Sequence, residues 1–182
     1  MRQRSPAHLV LTVGFVLLVG LGGCTRPADP LGLSGGGDAI GTSMTAGQEV
    51  IFWTRVANDT DYDVTLLDAR PIPLLQIDDG PHLVATHVMD AAMQNVILAR
   101  LGEDVVYPPG VLQPLEGSVV EAGQTRVVGV QLAVDSAGAY GYEGVVIDYL
   151  YAGRVFSPLN GLHLVLCVDQ PEDCFDQMVE SL

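Results

Sequence analysis

The residues of this chain that could bind a metal ion fall in two short stretches. In "PHLVATHVMDAAM", His87 and Met89 stand two residues apart, and a strand would put both on one face. Imidazole and thioether together form a ligand set that suits copper. His82 and Met93 lie nearby, but no second His–Met element follows at a recognisable spacing. The sequence therefore favours Met89 as core packing and His87 as a surface residue, with copper binding as the alternative.

The second stretch is acidic and resembles the start of a calcium-binding loop. Asp59, Asp61 and Asp63 alternate as the first ligands of an EF-hand do. That loop needs glycine at its sixth position and glutamate at its twelfth, where this chain has Val64 and Arg70. A solvated hairpin turn is the favoured interpretation, and a looser calcium site between loops is the alternative.

Hydrolytic chemistry has little support in the sequence. His82, His87 and His163 stand in none of the nucleophile or metal-hydrolase motifs. Pairs of carboxylates are easy to find among 22 acidic residues and carry little weight for that reason. We therefore expect no enzyme and no cofactor, and a hydrolase is the less favoured alternative.

The N-terminus has the pattern of an export signal. Arg2 and Arg4 precede an apolar stretch of 15 residues, 9–23. A helix needs about 20 apolar residues to cross a bilayer, so this stretch is short for a permanent span. A basic start, a short apolar middle and small residues before a cleavage point are typical of a secretory signal peptide.

The stretch ends in "LGGC", residues 21–24, which resembles the lipobox of bacterial lipoproteins. The resemblance implies that the chain is cleaved before Cys24 and that Cys24 carries a diacylglyceryl group on its sulfur. The membrane would then be a partner of the protein through this lipid. An ordinary signal peptide or a signal anchor is the alternative.

Cys167 and Cys174, in "CVDQPEDC", are the two other cysteines of the chain. Outside the cytoplasm such a pair is readily interpreted as a disulfide. Two free buried thiols are the alternative, and a metal site would need more ligands than two cysteines.

The charge of the chain is strongly negative. After loss of the signal, six arginines remain against 22 acidic residues, which gives a formal charge of −16. Such a surface repels nucleic acid, whose binding depends on Lys and Arg at phosphates, and it repels anionic lipid headgroups. The composition therefore excludes a nucleic-acid partner.

Short stretches rich in β-branched and aromatic residues predict strands through most of the chain. These stretches are EVIFWTRVAN, YDVTLLDARPI, LVATHVM, TRVVGVQLAV, GYEGVVIDYLY, VFSPL and LHLVLCV. "DTD" and "AGR" predict turns between them. "YPPGVLQPLEG" predicts an extended loop because it holds three prolines. Residues 90–101 fit either a strand or a short helix, and the helix is slightly favoured.

About seven or eight strands at this spacing predict an all-β fold, an immunoglobulin-like antiparallel β-sandwich. Tyr140, after a small-residue turn, matches the tyrosine corner of such domains, and Tyr142 stands where they have their second cysteine. Trp53 is expected as the central core aromatic. Three longer stretches together resemble bacterial cell-envelope lipoproteins with one immunoglobulin-like domain: VANDTDYDVTLLDARPI, YPPGVLQPLEGSVVEAG and AYGYEGVVIDYLYAGRVFSPL. This group implies no established activity.

The sequence thus predicts four parts and a location. The parts are a lipoprotein signal peptide (1–23), a lipidated cysteine with a flexible linker (24–47), a β-sandwich (48–168) and an acidic C-terminal tail with the disulfide loop (169–182). We expect a non-catalytic interaction or structural module, lipid-anchored to a bacterial membrane, on the outer face of the cytoplasmic membrane or in the periplasm. An envelope protein is an expected partner, with the module as an accessory subunit of a membrane complex. A copper- or calcium-binding envelope protein is the alternative.

Overall fold

The computed structural model describes residues 28–33, 39–74, 80–93 and 107–180. Two β-sheets pack face to face in this part of the chain, with the apolar core between them. Among the described residues, no helix is long and apolar enough to cross a membrane. The predicted signal peptide (1–23) and the predicted lipidation site, Cys24, lie outside the described residues.

The strands are bounded as follows in chain order. They are β1 Ala39–Met44, β2 Gln48–Ala57, β3 Val64–Pro73, β4 His82–Asp90, β5 Gln113–Pro114, β6 Val119–Val120, β7 Thr125–Val134, β8 Gly138–Tyr151, β9 Arg154–Phe156, β10 Leu159–Asn160 and β11 His163–Val168. Helix α1, Cys174–Glu180, follows the last strand.

The larger sheet has the order β1-β11-β8-β3-β6, and β9 and β10 also pair with β8. The smaller sheet has the order β2-β7-β4-β5. All pairings are antiparallel except that of β1 with β11 in the described chain. Seven of the described strands have six residues or more, and the predicted β-sandwich is confirmed.

The core forms because alternate residues of each long strand point between the sheets. In β2, Phe52, Thr54 and Val56 are buried, while Arg55 between them is exposed. Among the described residues, the largest fully buried side chain is Tyr149 of β8, whose ring stacks on Phe156 with centroids 5.3 Å apart.

Trp53 is not the central core aromatic, and this prediction was wrong. Its side chain is half-buried on the outer face of the smaller sheet, in a second apolar cluster with Met89 and Val127. A Cβ on Gly129, its cross-strand neighbour, would meet the indole ring at 2.3 Å, so the ring lies directly on the glycine backbone. Tyr107 meets the same ring edge-on at 6.2 Å.

The turn after β2 forms where predicted, but it is not a hairpin turn. β2 belongs to the smaller sheet and β3 to the larger one, so residues 58–63 carry the chain across the sandwich. The fully buried Asn58 holds this connection through its side-chain amide. Its NH2 group donates to the carbonyls of Tyr62 and Val120, at 2.9 and 2.8 Å. Its carbonyl accepts from the backbone N–H and the hydroxyl of Thr60.

The flexible linker predicted for 24–47 was wrong for the described residues of that range. Ala39–Met44 is strand β1, hydrogen-bonded in parallel to β11 at the edge of the larger sheet. Leu31 and Leu33 are buried in the main core. The sandwich therefore includes residues that the sequence assigned to a tether.

The C-terminal residues also belong to the sandwich rather than to a separate tail. The predicted disulfide between Cys167 and Cys174 is present and ties α1 to β11. Phe175 of α1 packs on Gly41 of β1, where a Cβ would meet its ring at 2.4 Å. The helix thus covers the outer face of β1 and β11.

The tyrosine corner is confirmed at the start of β8. The Tyr140 hydroxyl donates to the backbone carbonyl of Ser136, four residues upstream, at 3.0 Å. Tyr142, at the position of the usual cysteine, is buried in the core. The predicted turn between β8 and β9 is formed by Ala152 and Gly153, with Tyr151 paired to Arg154.

The ambiguous stretch 90–101 is described only in part. Asp90 ends β4, residues 91–93 are helical, and residues 94–101 lie outside the described residues. The proline-rich loop is mostly irregular, as predicted, with a two-residue strand at Gln113–Pro114. Leu115 fixes it to the main core with 1 % of its side chain exposed.

We expect the free energy of unfolding to fall in alkaline solution. Burial raises the pKa of Tyr142 and Tyr149 above the ordinary value of 10.0. Above that value the two tyrosines ionise in the unfolded chain but stay protonated in the fold. Unfolding then releases protons, so stability falls by about 1.4 kcal/mol per pH unit for each tyrosine.

Urea unfolding at several pH values between about 9.5 and 12 measures this slope, which approaches its full value above about pH 10. Tyr142→Phe with Tyr149→Phe is the control, because a chain without these hydroxyls should lose the steep part of the decline. An equally steep decline in that variant would contradict the assignment.

Candidate functional site

Three residues attach the first described segment of the chain to the core, and we call them the N-terminal clasp (Asp29, Leu31 and Leu33). The Tyr149 hydroxyl donates to Oδ1 of Asp29 at 2.5 Å. The same carboxylate oxygen accepts from the backbone N–H of Leu31 at 3.1 Å. Leu31 and Leu33 are 8 % and 6 % exposed and pack in the main core. Polar and apolar contacts together hold the chain at this point.

The clasp lies near one end of the sandwich. We call this end the entry pole; the β2–β3 connection (58–63) and the β8–β9 turn (152–153) form it. Tyr149 stands two residues before Tyr151, which closes the turn by pairing with Arg154. At the opposite end, the far pole, lie the β1–β2 turn (45–47) and the disulfide loop. The chain therefore enters the fold close to the entry pole and runs toward the far pole.

An apolar row crosses the outer face of the larger sheet beside the entry pole. It consists of three apolar side chains and one threonine: Val119 on β6, Thr65 on β3, Leu150 on β8 and Val155 on β9. Each member pairs directly with the next, so all four side chains share one face of the sheet. Val155 is 62 % exposed, and Val119 and Leu150 are also exposed. This apolar row is an uncharged, water-facing strip across four strands.

An acidic pair follows the apolar row on the same face. Asp68 and Asp148 are cross-strand neighbours, a placement in which like charges repel. Arg70 binds both carboxylates. Partial burial raises the pKa of Asp148, but hydrogen bonds from Arg70 and Ser157 outweigh this effect and hold its pKa below the ordinary range. The Arg70 guanidinium thus offsets the repulsion between the two carboxylates on adjacent strands.

Removing the disulfide should loosen the far pole. The bridge closes a short loop between residues seven positions apart, and chain entropy assigns a loop of this size about 2.5 kcal/mol. We expect Cys167→Ala with Cys174→Ala to lower the free energy of unfolding by about this amount, as measured by urea denaturation.

A reducing agent supplies the control for this prediction. The wild type should lose stability on reduction, while the double variant should be insensitive to it. A wild type that is equally stable reduced and oxidised would contradict a structural role for the bridge.

His87 and Met89 share one face of β4, as predicted, but their surroundings differ from a copper site. His87 Nε2 lies 2.6 Å from Gln131 Oε1 on β7, and Gln131 in turn donates to Glu49. Met89 is 2 % exposed and packs in the second apolar cluster, with Met93 at its margin. His82 pairs with Asp135 near the far pole instead. The structure thus brings Met93 to Met89 but leaves His82 apart.

The acidic triplet Asp59, Asp61 and Asp63 lies on the exposed β2–β3 connection. Asp63 accepts a hydrogen bond from the backbone N–H of Ala122, which fixes the neighbouring β6–β7 turn. Across residues 28–33, 39–74, 80–93 and 107–180, no group of three His, Cys, Asp or Glu could hold a metal ion. The triplet is therefore not gathered into a calcium site there.

Sequence reasoning missed the N-terminal clasp and the apolar row. A signal for the clasp existed in "PLGLSG", where Leu31 and Leu33 alternate as a strand would. The apolar row had no local signal, because its four members come from four strands that only the fold aligns.

No model of a protein family matches this sequence, and neither does any curated protein. Among solved structures, the chain is similar to the ASH / PapD-like domain 7 of human CEP192, with a TM-score of 0.38 and 11 % identity over 94 % of this chain and 100 % of that one. It is also similar to the VesB protease of Vibrio cholerae, with a TM-score of 0.37 and 11 % identity over 71 % and 30 % of the chains. A family 123 glycoside hydrolase from Clostridium perfringens gives a TM-score of 0.36 and 10 % identity over 74 % and 23 %. These proteins differ in function, and their likeness assigns no activity to this chain.

Proposed function

We propose that this protein is a lipid-anchored interaction or structural module outside the cytoplasm, held to a bacterial membrane through Cys24. The observation that carries the proposal is the sequence "LGGC" at residues 21–24, at the end of a basic and then apolar N-terminus. Several acyl chains on one cysteine give stable anchoring, whereas a single chain gives marginal binding.

Two features of the fold support an extracytoplasmic anchored domain. The Cys167–Cys174 disulfide suits an oxidising compartment. The N-terminal clasp begins at Asp29, five residues after Cys24, so the folded domain follows the lipobox almost at once. A rigid body attached in this way can present its loops and sheet faces to an envelope partner.

The proline-rich segment 107–117 is the part of the domain that we assign to such a partner. Its apex, Pro108 to Gly110, is exposed, while Tyr107 and Leu115 are packed against the sandwich. An exposed loop tip on fixed ends presents a constant shape, which lowers the entropy cost of binding.

Phase separation in a detergent that clouds on warming tests the anchor. The wild type should enter the detergent phase, and Cys24→Ala should move the protein to the aqueous phase because it removes the lipidated sulfur. The matched control is Cys167→Ala with Cys174→Ala, which removes two cysteines and should leave the protein in the detergent phase. A Cys24→Ala variant that still enters the detergent phase would contradict the proposal.

A further inference from the structure

The distance from the lipid to the fold is short, and it determines which part of the sandwich faces the membrane. From Cys24 to Asp29 there are five Cα–Cα steps. An extended chain covers at most about 3.3–3.6 Å per residue, so Asp29 lies no more than about 18 Å from the anchored cysteine. The predicted flexible linker would have reached farther and left the orientation free.

The sandwich is much longer than this reach. The 14 residues of β8 extend about 46 Å along it. Asp29 binds Tyr149, two residues before the end of β8, which is close to the entry pole. The entry pole is therefore the end that the anchor holds near the lipid surface, and the far pole points away.

We propose, resting on the anchor at Cys24, that the apolar row beside the entry pole lies against the lipid surface that carries the anchor. Val155 and Leu150 flank the β8–β9 turn, and β6 brings Val119 into the same row. Tyr62, 63 % exposed on the β2–β3 connection, adds an amphipathic ring at this pole, a residue type that suits membrane interfaces. A weak apolar contact is enough to hold the row at the lipid, because the anchor gives the domain a high effective concentration at the surface.

The charge of the same pole defines which lipid surface it fits. Asp59, Asp61 and Asp63 on the β2–β3 connection are exposed and negative. Anionic headgroups repel them within about a Debye length, roughly 8–10 Å at physiological salt. The apolar row therefore fits a surface of zwitterionic headgroups, and anionic lipid weakens the contact.

A fluorescent probe on the purified, acylated protein in vesicles tests the contact. With Cys24 acylated and Cys167 bonded to Cys174, an introduced cysteine is the free thiol to label with NBD. Val155→Cys places the probe in the apolar row. The matched control, Leu83→Cys, places it at an exposed site of β4 near the far pole. The vesicles are phosphatidylcholine containing a doxyl-labelled lipid, with phosphatidylglycerol added in a second series.

In phosphatidylcholine vesicles, the NBD emission of Val155→Cys should shift to the blue and be quenched by the doxyl lipid. The NBD emission of Leu83→Cys should show neither change. Phosphatidylglycerol should reduce the quenching. A Gly/Ser insertion of about 12 residues between Arg26 and Pro27 should abolish it, because the insertion adds about 20 Å of flexible reach.

Flotation of the vesicles separates the two ways in which this result could fail. If the protein floats with the vesicles and both probes are quenched equally or not at all, the lipid contact is overturned and the anchor stands. A Val155 probe that shifts to the blue only when a membrane protein is added back assigns the apolar row to a protein, which also overturns the contact. If the protein does not float, the proposed anchor is overturned and this inference with it.

Discussion

Tyr149→Ala should lower the free energy of unfolding by about 4 kcal/mol, the range for truncating a buried aromatic ring. Tyr149 is fully buried near the C-terminal end of β8, stacks on Phe156 and bonds Asp29 through its hydroxyl. The substitution leaves a cavity beside Phe156 and removes one hydrogen bond of the N-terminal clasp. Urea denaturation of the domain measures the effect.

Two further variants separate the ring from the hydroxyl. Tyr149→Phe keeps the ring and should cost about 1–3 kcal/mol, the usual effect of losing a hydrogen bond to a charged group. Tyr62→Ala, a truncation of an exposed tyrosine at the same pole, should cost less than about 1 kcal/mol. If Tyr149→Ala cost no more than Tyr62→Ala, the position of Tyr149 in the core would be wrong.

Asn58→Ala should lower the free energy of unfolding by about 3 kcal/mol, because it leaves buried polar groups without partners. The side chain of Asn58 is fully buried and bonds Tyr62, Val120 and Thr60. Its backbone N–H donates to Gln124, so the residue also joins the β2–β3 connection to the β6–β7 turn. Loss of the amide should weaken both connections together.

Asp59→Ala is the matched control for this prediction. Asp59 is the next residue of the same connection and is exposed, so its truncation should change stability by no more than about 0.5 kcal/mol. Comparable losses in the two variants, by thermal and by urea unfolding, would contradict the bridging role of Asn58.

Local patterns in the sequence were sufficient for most strands and for two specific contacts. β7 was predicted with its observed bounds, because Thr125–Val134 is rich in β-branched residues and holds no Pro, Asn, Asp or Ser. The Tyr140 corner and the Cys167–Cys174 bridge join residues only four and seven positions apart. Contacts at such short separation leave a signal in the sequence itself.

The sheet to which a strand belongs had no comparable signal. Turn residues at 58–63 show that the chain changes direction, but the partner of β3 is β8, about 80 residues later. Because that pairing decides whether the chain forms a hairpin or crosses the sandwich, local sequence favoured the wrong one. β1 was missed for a similar reason: its partners, β11 and Phe175, lie more than 120 residues away.

Trp53 shows how an outer face can be mistaken for a core. Both faces of β2 carry apolar residues, because residues 107–112 cover the outer face around Met89 and Val127. Alternation alone does not tell which of two covered faces is the inner one. The indole was assigned to the core by its size, whereas Gly129 opposite it marks the outer site.

The mass of the mature protein, purified from membranes in detergent, tests the lipid anchor most directly. We expect a chain that begins at Cys24 and exceeds the mass of residues 24–182 by at least one diacylglyceryl group, which the Cys24→Ala variant should lack. A mature chain with an unmodified thiol at Cys24, or one that retains residues 1–23, would contradict the proposed anchor.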